Sequence, residues 1–478
     1  MPDSWVNSAE RVGSDLHLDL SGPGSRRAVL IRALREAVRE GRLAPGTRLP
    51  PYRSLAADLG LARNTVADAY AELVAEGWLT ARQGSGTRVT ERAAPPGRPR
   101  KPKPAPGRPV PHNLRQGTPE AASFPRTAWL AAARRALGAA PDDAFGAGDP
   151  RGRVELRRAL TDYLSRARGV RVDPERIVVC SGFAHALRLL FAGSRGAGGG
   201  VLRGPFAVES YGLGFHRGIL EGAGVRTVPL GLDGQGARVE ELAADPRVRG
   251  VLLTPAHQFP TGGPLHPARR AAVVDWARTT GGLVLEDDYD GEFRYDREPV
   301  GALQGLDPER VIHLGSVSKS LSPAVRIGWM VLPEHLVDGV LAAKGEREAW
   351  ASVLDQLTLA EFLASGQYDR HVRRMRQRYR RRRDQLVTAL AEGAPHIGVT
   401  GIAAGLHVVL RLPPGTEASA VKAAAWQGIA LDGLAEFRHP GAAGPVGDGL
   451  VIGYATPAEH AYRAALEALL RALPPSDA

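Results

Sequence analysis

Cysteine is almost missing from this chain: Cys180 is the only one in 478 residues. No disulfide can close within the chain, and such usage points to a reducing compartment. No uninterrupted apolar run is long enough to cross a bilayer, and the N-terminus lacks the basic, apolar and small-residue succession of a signal peptide. A cytoplasmic protein without a membrane partner is expected. The thirteen histidines show no metal-ligand spacing, so no metal is expected. Lysine is scarce as well. Of 62 basic residues, five are lysines: Lys101, Lys103, Lys319, Lys344 and Lys422.

What is present exceeds one ordinary core. The length, with 43% hydrophobic residues, implies two or more domains that fold without staples. The net charge of +11 is unevenly placed: residues 1–112 hold 18 Lys+Arg against 11 Asp+Glu, the other 366 hold 44 against 40. The basic excess of the first quarter favours a polyanion partner there, with scattered solvated charge as the equal alternative.

The stretch ERAAPPGRPRKPKPAPGRPVPH, residues 91–112, is dense in proline and has no apolar periodicity to bury. It reads as a linker over 93–112 between a domain at 23–92 and one at 113–478. Alternating proline and basic residues favour extended polyproline II, so roughly 20 residues reach about 60 Å. Ahead of it, Leu30, Leu34 and Val38 recur at i, i+4, i+8 in a helix from Arg26 to Glu40 that stops at Gly41. A second short helix spans Arg53 to Leu59. A third runs from Arg63 to Glu76 with Val66, Tyr70, Leu73 and Val74 on its core face, turning Arg63, Asn64, Ala67 and Asp68 outward. The hairpin WLTARQGSGTRV follows, with its turn at Gln83 to Gly86.

Three helices and a β-wing make the winged helix-turn-helix plan, whose last helix enters the major groove. GRLAPGTRLPPYRSLAADLGLARNTVADAYAELVAEGWLTARQGSGTRV closely resembles the DNA-binding domain of GntR-type bacterial regulators. The resemblance implies a double-stranded DNA operator as partner, with contacts from Arg53, from Arg63, Asn64 and Thr65, from Gln83 and Gly84 in the wing, and from Arg48 on a phosphate. Arginine forks onto guanine or phosphate, asparagine pairs with adenine, and a glycine wing lets backbone N–H groups approach phosphates. Where the family has a Ser or Thr cap before the second and third helices, this chain has Pro51 and Ala62. Each missing cap forfeits about 1 kcal/mol.

Beyond Asn113, short apolar runs alternate with amphipathic stretches. RIVVCSG, RGVLLTP, GLVLEDDY and RVIHLGS read as buried parallel strands of an α/β domain with chemistry at their carboxyl ends. Lys319 sits just past such an end. Lysine there, unlike arginine, can condense with an aldehyde, because a guanidinium is never a free amine. A surface lysine retained by chance is the alternative.

Asp287 and Tyr289 after strand LVLE, Ser316 and Lys319 in Ser-x-x-Lys, and Arg326 seven residues on resemble the fold type I pyridoxal-phosphate enzymes, the aspartate aminotransferase superfamily. The resemblance implies pyridoxal 5′-phosphate as cofactor, with Lys319 forming the internal aldimine. Asp287 would hold the pyridine nitrogen protonated, Tyr289 would bond the ring's phenolic oxygen, and Arg326 and Ser316 would hold the phosphate. In SGFAHALRLL a strand turns into a helix whose first N–H groups, at Gly182, Phe183 and Ala184, point at an anion. Phe183 stands where relatives often have serine. Tyr211, in VESYGLG, is the candidate to stack on the ring, with an ordinary core tyrosine as the alternative.

The Asn usual before Pro-Thr-Gly is absent from TPAHQFPTGGPL, where His257 and Gln258 occupy the neighbourhood. That substitution is typical of MocR-type regulators, a GntR winged helix linked to an aminotransferase-like domain, and the resemblance covers about residues 26–472. It implies a small amine or amino acid as effector, or pyridoxal phosphate itself, and a domain-swapped, head-to-tail homodimer. A working aminotransferase with an accessory DNA-binding domain is the alternative. Against it, GLVIGYATP lacks the arginine that reads a substrate carboxylate, leaving only Arg438 nearby. Reading SVSK as the Ser-x-x-Lys of penicillin-binding enzymes fails for want of SDN and KTG. The run RHVRRMRQRYRRRRDQL is taken as the solvated face of a basic helix rather than a nucleic-acid site.

Overall fold

The periodicity of Leu30, Leu34 and Val38 becomes helix α1 (Arg26–Arg39), which buries all three. The computed structural model describes residues 18–82, 86–90, 110–146, 148–192, 200–295, 300–345, 351–444 and 447–476, and the chain divides into two compact units, 1–107 and 108–478. In the first, α2 (Tyr52–Asp58) and α3 (Arg63–Ala75) begin after Pro51 and Ala62 with no side-chain cap. Packing offsets the loss. Leu55 and Val66 are fully buried, and one such side chain contributes about 1.5–3 kcal/mol, more than a cap. The Tyr70 hydroxyl donates to the Pro50 carbonyl at 3.0 Å, tying α3 to the approach of α2.

Arg63, Asn64 and Asp68 are exposed on α3, while Thr65 and Ala67 are half-buried. Arg48 and Arg53 are exposed too. The wing is β1 (Leu79–Arg82) antiparallel to β2 (Gly86–Val89), with Leu79 opposite Val89 and both turned into the core. Gln83 and Gly84 lie outside the described residues, as does the expected linker as far as residue 109.

The second unit is built on a seven-stranded sheet: β3 (Ile177–Cys180), β4 (Phe206–Glu209), β5 (Thr227–Leu230), β6 (Gly250–Leu253), β7 (Leu283–Asp287), β8 (Val311–Ser316) and β9 (Gly328–Val331). Its spatial order is β3-β9-β8-β7-β6-β4-β5, parallel except for β9, which is antiparallel to both neighbours. Both faces are covered, so the strands read as continuous apolar runs. Along β3, Ile177 and Val179 join one core with Trp329, while Val178 and Cys180 join another with Met330, as a period of two requires. Helices α4 (Val154–Arg168), α5 (Phe183–Phe191) and α6 (Gly214–Gly222) connect or cover this sheet.

A second lobe carries an antiparallel sheet ordered β10 (Gly398–Thr400), β11 (His407–Arg411), β13 (Gly449–Gly453), β12 (Asp432–Gly433). The arginine-rich run lies in one long helix, α7 (Gln367–Gly393), that buries Val372, Met375, Tyr379 and Leu386. Its arginines divide. Arg373, Arg380 and Arg381 are exposed, whereas Arg382 is 1% exposed and bonds Glu120, Glu459 and the carbonyls of Tyr454 and Ala455. The solvated-face reading therefore holds for part of the run. No described helix is long and apolar enough to cross a membrane, and no described His, Cys, Asp and Glu group could hold a metal.

Candidate functional site: a cavity at the strand ends

The six parallel strands of the large sheet end on one edge, where an open α/β sheet presents its loops to a ligand. A cavity of about 280 Å³ opens there. Asp287 ends β7 and Ser316 ends β8, and both line it. The turn after β8 brings Lys319 into the wall, where its Nζ donates to the Gly117 carbonyl. A Cβ at Gly117 would stand 3.1 Å from that Nζ, so the bare backbone makes the approach possible.

Burial pulls the Lys319 pKa below that of a free lysine, opposed in part by Asp290 and Asp287. The free amine is thereby easier to reach than on a surface lysine. Burial likewise pushes the Asp287 carboxyl well above the usual range, with help from Asp288 and against Lys319. The Asp287 carboxylate accepts no hydrogen bond from any described residue. Its neighbour Asp288 is held ionised against burial by the fork of Arg168, at 2.6 and 2.8 Å.

Arg326 is the single described non-glycine residue with positive φ, at 57°. Such a conformation costs about 1–3 kcal/mol and concentrates at functional sites. It aims an exposed guanidinium into the cavity without a hydrogen bond or ion pair to any described residue. Opposite, α5 starts at Gly182 (φ 106°), whose carbonyl takes the first helical bonds from His185 and Ala186. The N–H groups of Gly182, Phe183 and Ala184 lack intrahelical acceptors and open on the cavity, an anion-binding arrangement. Gly328 makes room for this turn: a Cβ there would stand 2.7 Å from the Gly182 Cα.

Tyr211 and Tyr289 also line the cavity. Burial, then Asp290, pushes the Tyr289 hydroxyl well above its ordinary pKa. His257 and Gln258 do not reach the cavity. They are buried behind it, His257 against Tyr289 and Asp290, and Gln258 against Glu209 and the carbonyls of Tyr211 and Phe259. Arg438 is also outside, donating to the carbonyls of Ala442, Ala443 and Gly444.

Sequence reasoning passed over His216, Arg217 and Glu209, all in the wall. Glu209 ends β4 as Asp287 ends β7, so the same strand-end rule would have found it. Burial raises its pKa to about 7, while Thr254 and Gln258 hydrogen bonds work against the rise. His216, on α6, packs its ring 4.6 Å from Phe183, and burial brings its pKa down to about 4. No spacing signal marks it. Arg217 is engaged by the carbonyls of Gly212, Phe437 and Arg438.

The residues present suit pyridoxal phosphate: an amine, an unpartnered carboxylate and an unpaired guanidinium beside free N–H groups meet in one cavity. Comparison with known proteins agrees. Residues 112–442 match the aminotransferase class I and II family, and residues 27–89 match the bacterial regulatory proteins of the gntR family. The pyridoxine biosynthesis transcriptional regulator PdxR of Corynebacterium glutamicum is 33% identical over 81% of this chain and 83% of its own. The probable rhizopine catabolism regulatory protein MocR of Rhizobium meliloti is 32% identical over 89% of both. Among solved structures, a Pyrococcus horikoshii kynurenine aminotransferase superposes with TM-score 0.68 at 24% identity, covering 77% of this chain and 91% of that one, a likeness of fold. The aminotransferase family implies pyridoxal phosphate dependence, and GntR regulators bind DNA operators. The chain thus belongs to the transcriptional regulators of the MocR and PdxR type, in which a GntR helix-turn-helix domain precedes an aminotransferase class I and II domain.

Proposed function

We propose that this regulator senses an amine, an amino acid or pyridoxal phosphate itself through Lys319, and that occupancy of the cavity changes its binding to an operator. The observation that carries the reading is Lys319, a half-buried lysine with a lowered pKa facing a cavity that also holds an unpartnered carboxylate and an unpaired guanidinium. When bound, pyridoxal phosphate supplies an aldehyde that condenses reversibly with an amine. Arg326, Ser316 and the N–H groups of Gly182, Phe183 and Ala184 bind its phosphate. Asp287 would hold a proton on the ring nitrogen, Tyr289 would donate to the ring oxygen, and Tyr211 would flank the ring. An effector amine competing with the Lys319 amine would change charge and contacts inside the cavity.

On the DNA side, Arg63, Asn64 and Thr65 read the groove, Arg48 and Arg53 position the backbone, and Gln83 and Gly84 approach phosphates from the wing. Two such units in a domain-swapped, head-to-tail dimer would engage paired half-sites. A coupling of about 1–3 kcal/mol between cavity and operator is enough to change affinity several-fold or more. Working transamination is the second reading. It is disfavoured because Arg438 is spent on three carbonyls and does not reach the cavity. The deciding experiment measures operator binding with and without pyridoxal phosphate across a panel of amines, for the natural chain and Lys319→Ala. Responses that survive the substitution unchanged would refute sensing through this residue, while keto-acid production at enzymatic rates would favour the transaminase.

A further inference from the structure

Tyr289, His257 and Asp290 form a chain of groups from the cavity wall into the interior. The Tyr289 hydroxyl lies 3.0 Å from His257 Nδ1, and the same Nδ1 lies 2.8 Å from Asp290 Oδ2. His257 and Asp290 are each 3% exposed, so neither can touch a molecule in the cavity.

Their enclosure is specific. Gly405 (φ 73°) and Gly262 (φ 80°) wrap the pair: a Cβ at Gly405 would stand 2.3 Å from His257 Cε1 and 2.6 Å from Asp290 Oδ2, and one at Gly262 would stand 3.4 Å from His257 Nε2. The Gly405 carbonyl is fixed by the hydroxyls of Tyr454 and Tyr295. His407 packs on the other side, with ring centroids 5.4 Å apart. It is neutral, with its pKa brought down to about 3 by burial, and its Nε2–H donates to Pro260. Asp290 also interacts electrostatically with Lys319, with Asp287 and with the Tyr289 hydroxyl itself.

An ionised carboxylate can only accept. With Asp290 as the acceptor, the nitrogen 2.8 Å from it carries the hydrogen, which places the His257 proton on Nδ1. A protonated Nδ1 cannot accept from Tyr289. The phenol oxygen instead becomes a second acceptor for that N–H, and the tyrosine hydrogen is not taken up by His257, which leaves Asp290, whose carboxylate also acts on the hydroxyl, and an acceptor in the cavity to compete for it.

We propose that Asp290 and His257 are a positioning pair that acts through Tyr289, reserving its O–H hydrogen for an anionic ring oxygen of the molecule bound in the cavity. The inference rests on the pyridoxal phosphate reading above and extends it to residues that never touch the ligand.

Three measurements test it. In the unliganded protein, ¹⁵N spectra of labelled histidines, with the His257 signal assigned by its loss in His257→Asn, should show the Nδ1–H tautomer at neutral pH. The Nε2–H tautomer would overturn the proposal. In the full chain, pyridoxal phosphate affinity by fluorescence quenching is compared among Asp290→Asn, Tyr289→Phe and the double variant. Each single change should weaken binding about tenfold or more, as expected for a hydrogen bond to a charged group, and the double variant should be no weaker than Tyr289→Phe alone. Losses that multiply, or an unchanged affinity in Asp290→Asn, would show that the pair does not act through Tyr289. The bound cofactor's absorbance titration should shift alike in both single variants, which a merely structural role would not produce. If Asp290→Asn fails to fold by circular dichroism, His257→Asn replaces it in the cycle. Should the natural chain bind no pyridoxal phosphate, the proposed function falls, and the tautomer measurement still decides this inference.

Discussion

At the cavity edge and in the layer just behind it, the same three side-chain types occur in opposite states. Lys319 opens on a cavity, while Lys344, buried at 3% exposure, is clamped between the carbonyls of Pro150 and Val179. Arg326 has no partner among the described residues, while Arg168 forks onto Asp288. Among the described residues nothing donates to Asp287, while its equally buried neighbour Asp288 takes both prongs of Arg168. Burial and a depressed pKa therefore do not single out a functional lysine, since Lys344 has both, with its pKa brought down to about 8 by burial. What singles out Lys319 is that the fold has left groups around it unsatisfied.

Substitution should separate the two layers. The largest contrast is Lys319→Ala against Lys344→Ala: after borohydride trapping and mass spectrometry, the first should lose its pyridoxal adduct entirely and the second retain it. An adduct that persists without Lys319 would break the comparison. Next, Arg168→Ala strands Asp288 in the interior, and denaturant unfolding should register a loss of about 3–5 kcal/mol. Lys344 should show itself by pH. Its folded pKa lies below its unfolded one, so the unfolded chain binds more protons between about pH 8 and 10.5, and stability rises with pH across that window. Relative to Lys344→Met, the natural chain should gain about 3 kcal/mol there in urea unfolding at two pH values. Arg326→Ala should leave unfolding nearly untouched yet weaken pyridoxal phosphate binding by about 1.5–3 kcal/mol in a fluorescence titration. The smallest effect is expected on α3, where Arg63→Ala should cost about 1–3 kcal/mol of operator affinity by anisotropy, without loss of stability.

Much of the fold was legible because local patterns carry it. The apolar spacing of α1 and α3 and the unbroken runs of β3, β6, β7 and β8 follow from periodicity and burial alone. Residues that a strand end must deliver to one edge, such as Asp287 and Lys319, were legible for the same reason. His257 and Gln258 were not. They sit in a loop whose direction depends on Gly262 and Gly405 meeting around them, contacts between segments over 140 residues apart. His216 reached the cavity unseen because its helix packs across the α5 start. In α7, nothing in nine arginines distinguishes Arg382 from Arg381. The difference arises where Glu120 and Glu459 converge.

By itself the amino-acid order determined the two-domain plan, the strand-edge chemistry and the choice of an amine at position 319, because these depend on local backbone preference and on what each functional group can do. Only the tertiary structure decided which charges the protein satisfies internally and which it leaves facing a space. That outcome depends on distant segments meeting, and an ionic or polar group is spoken for only when its partner arrives within hydrogen-bond reach.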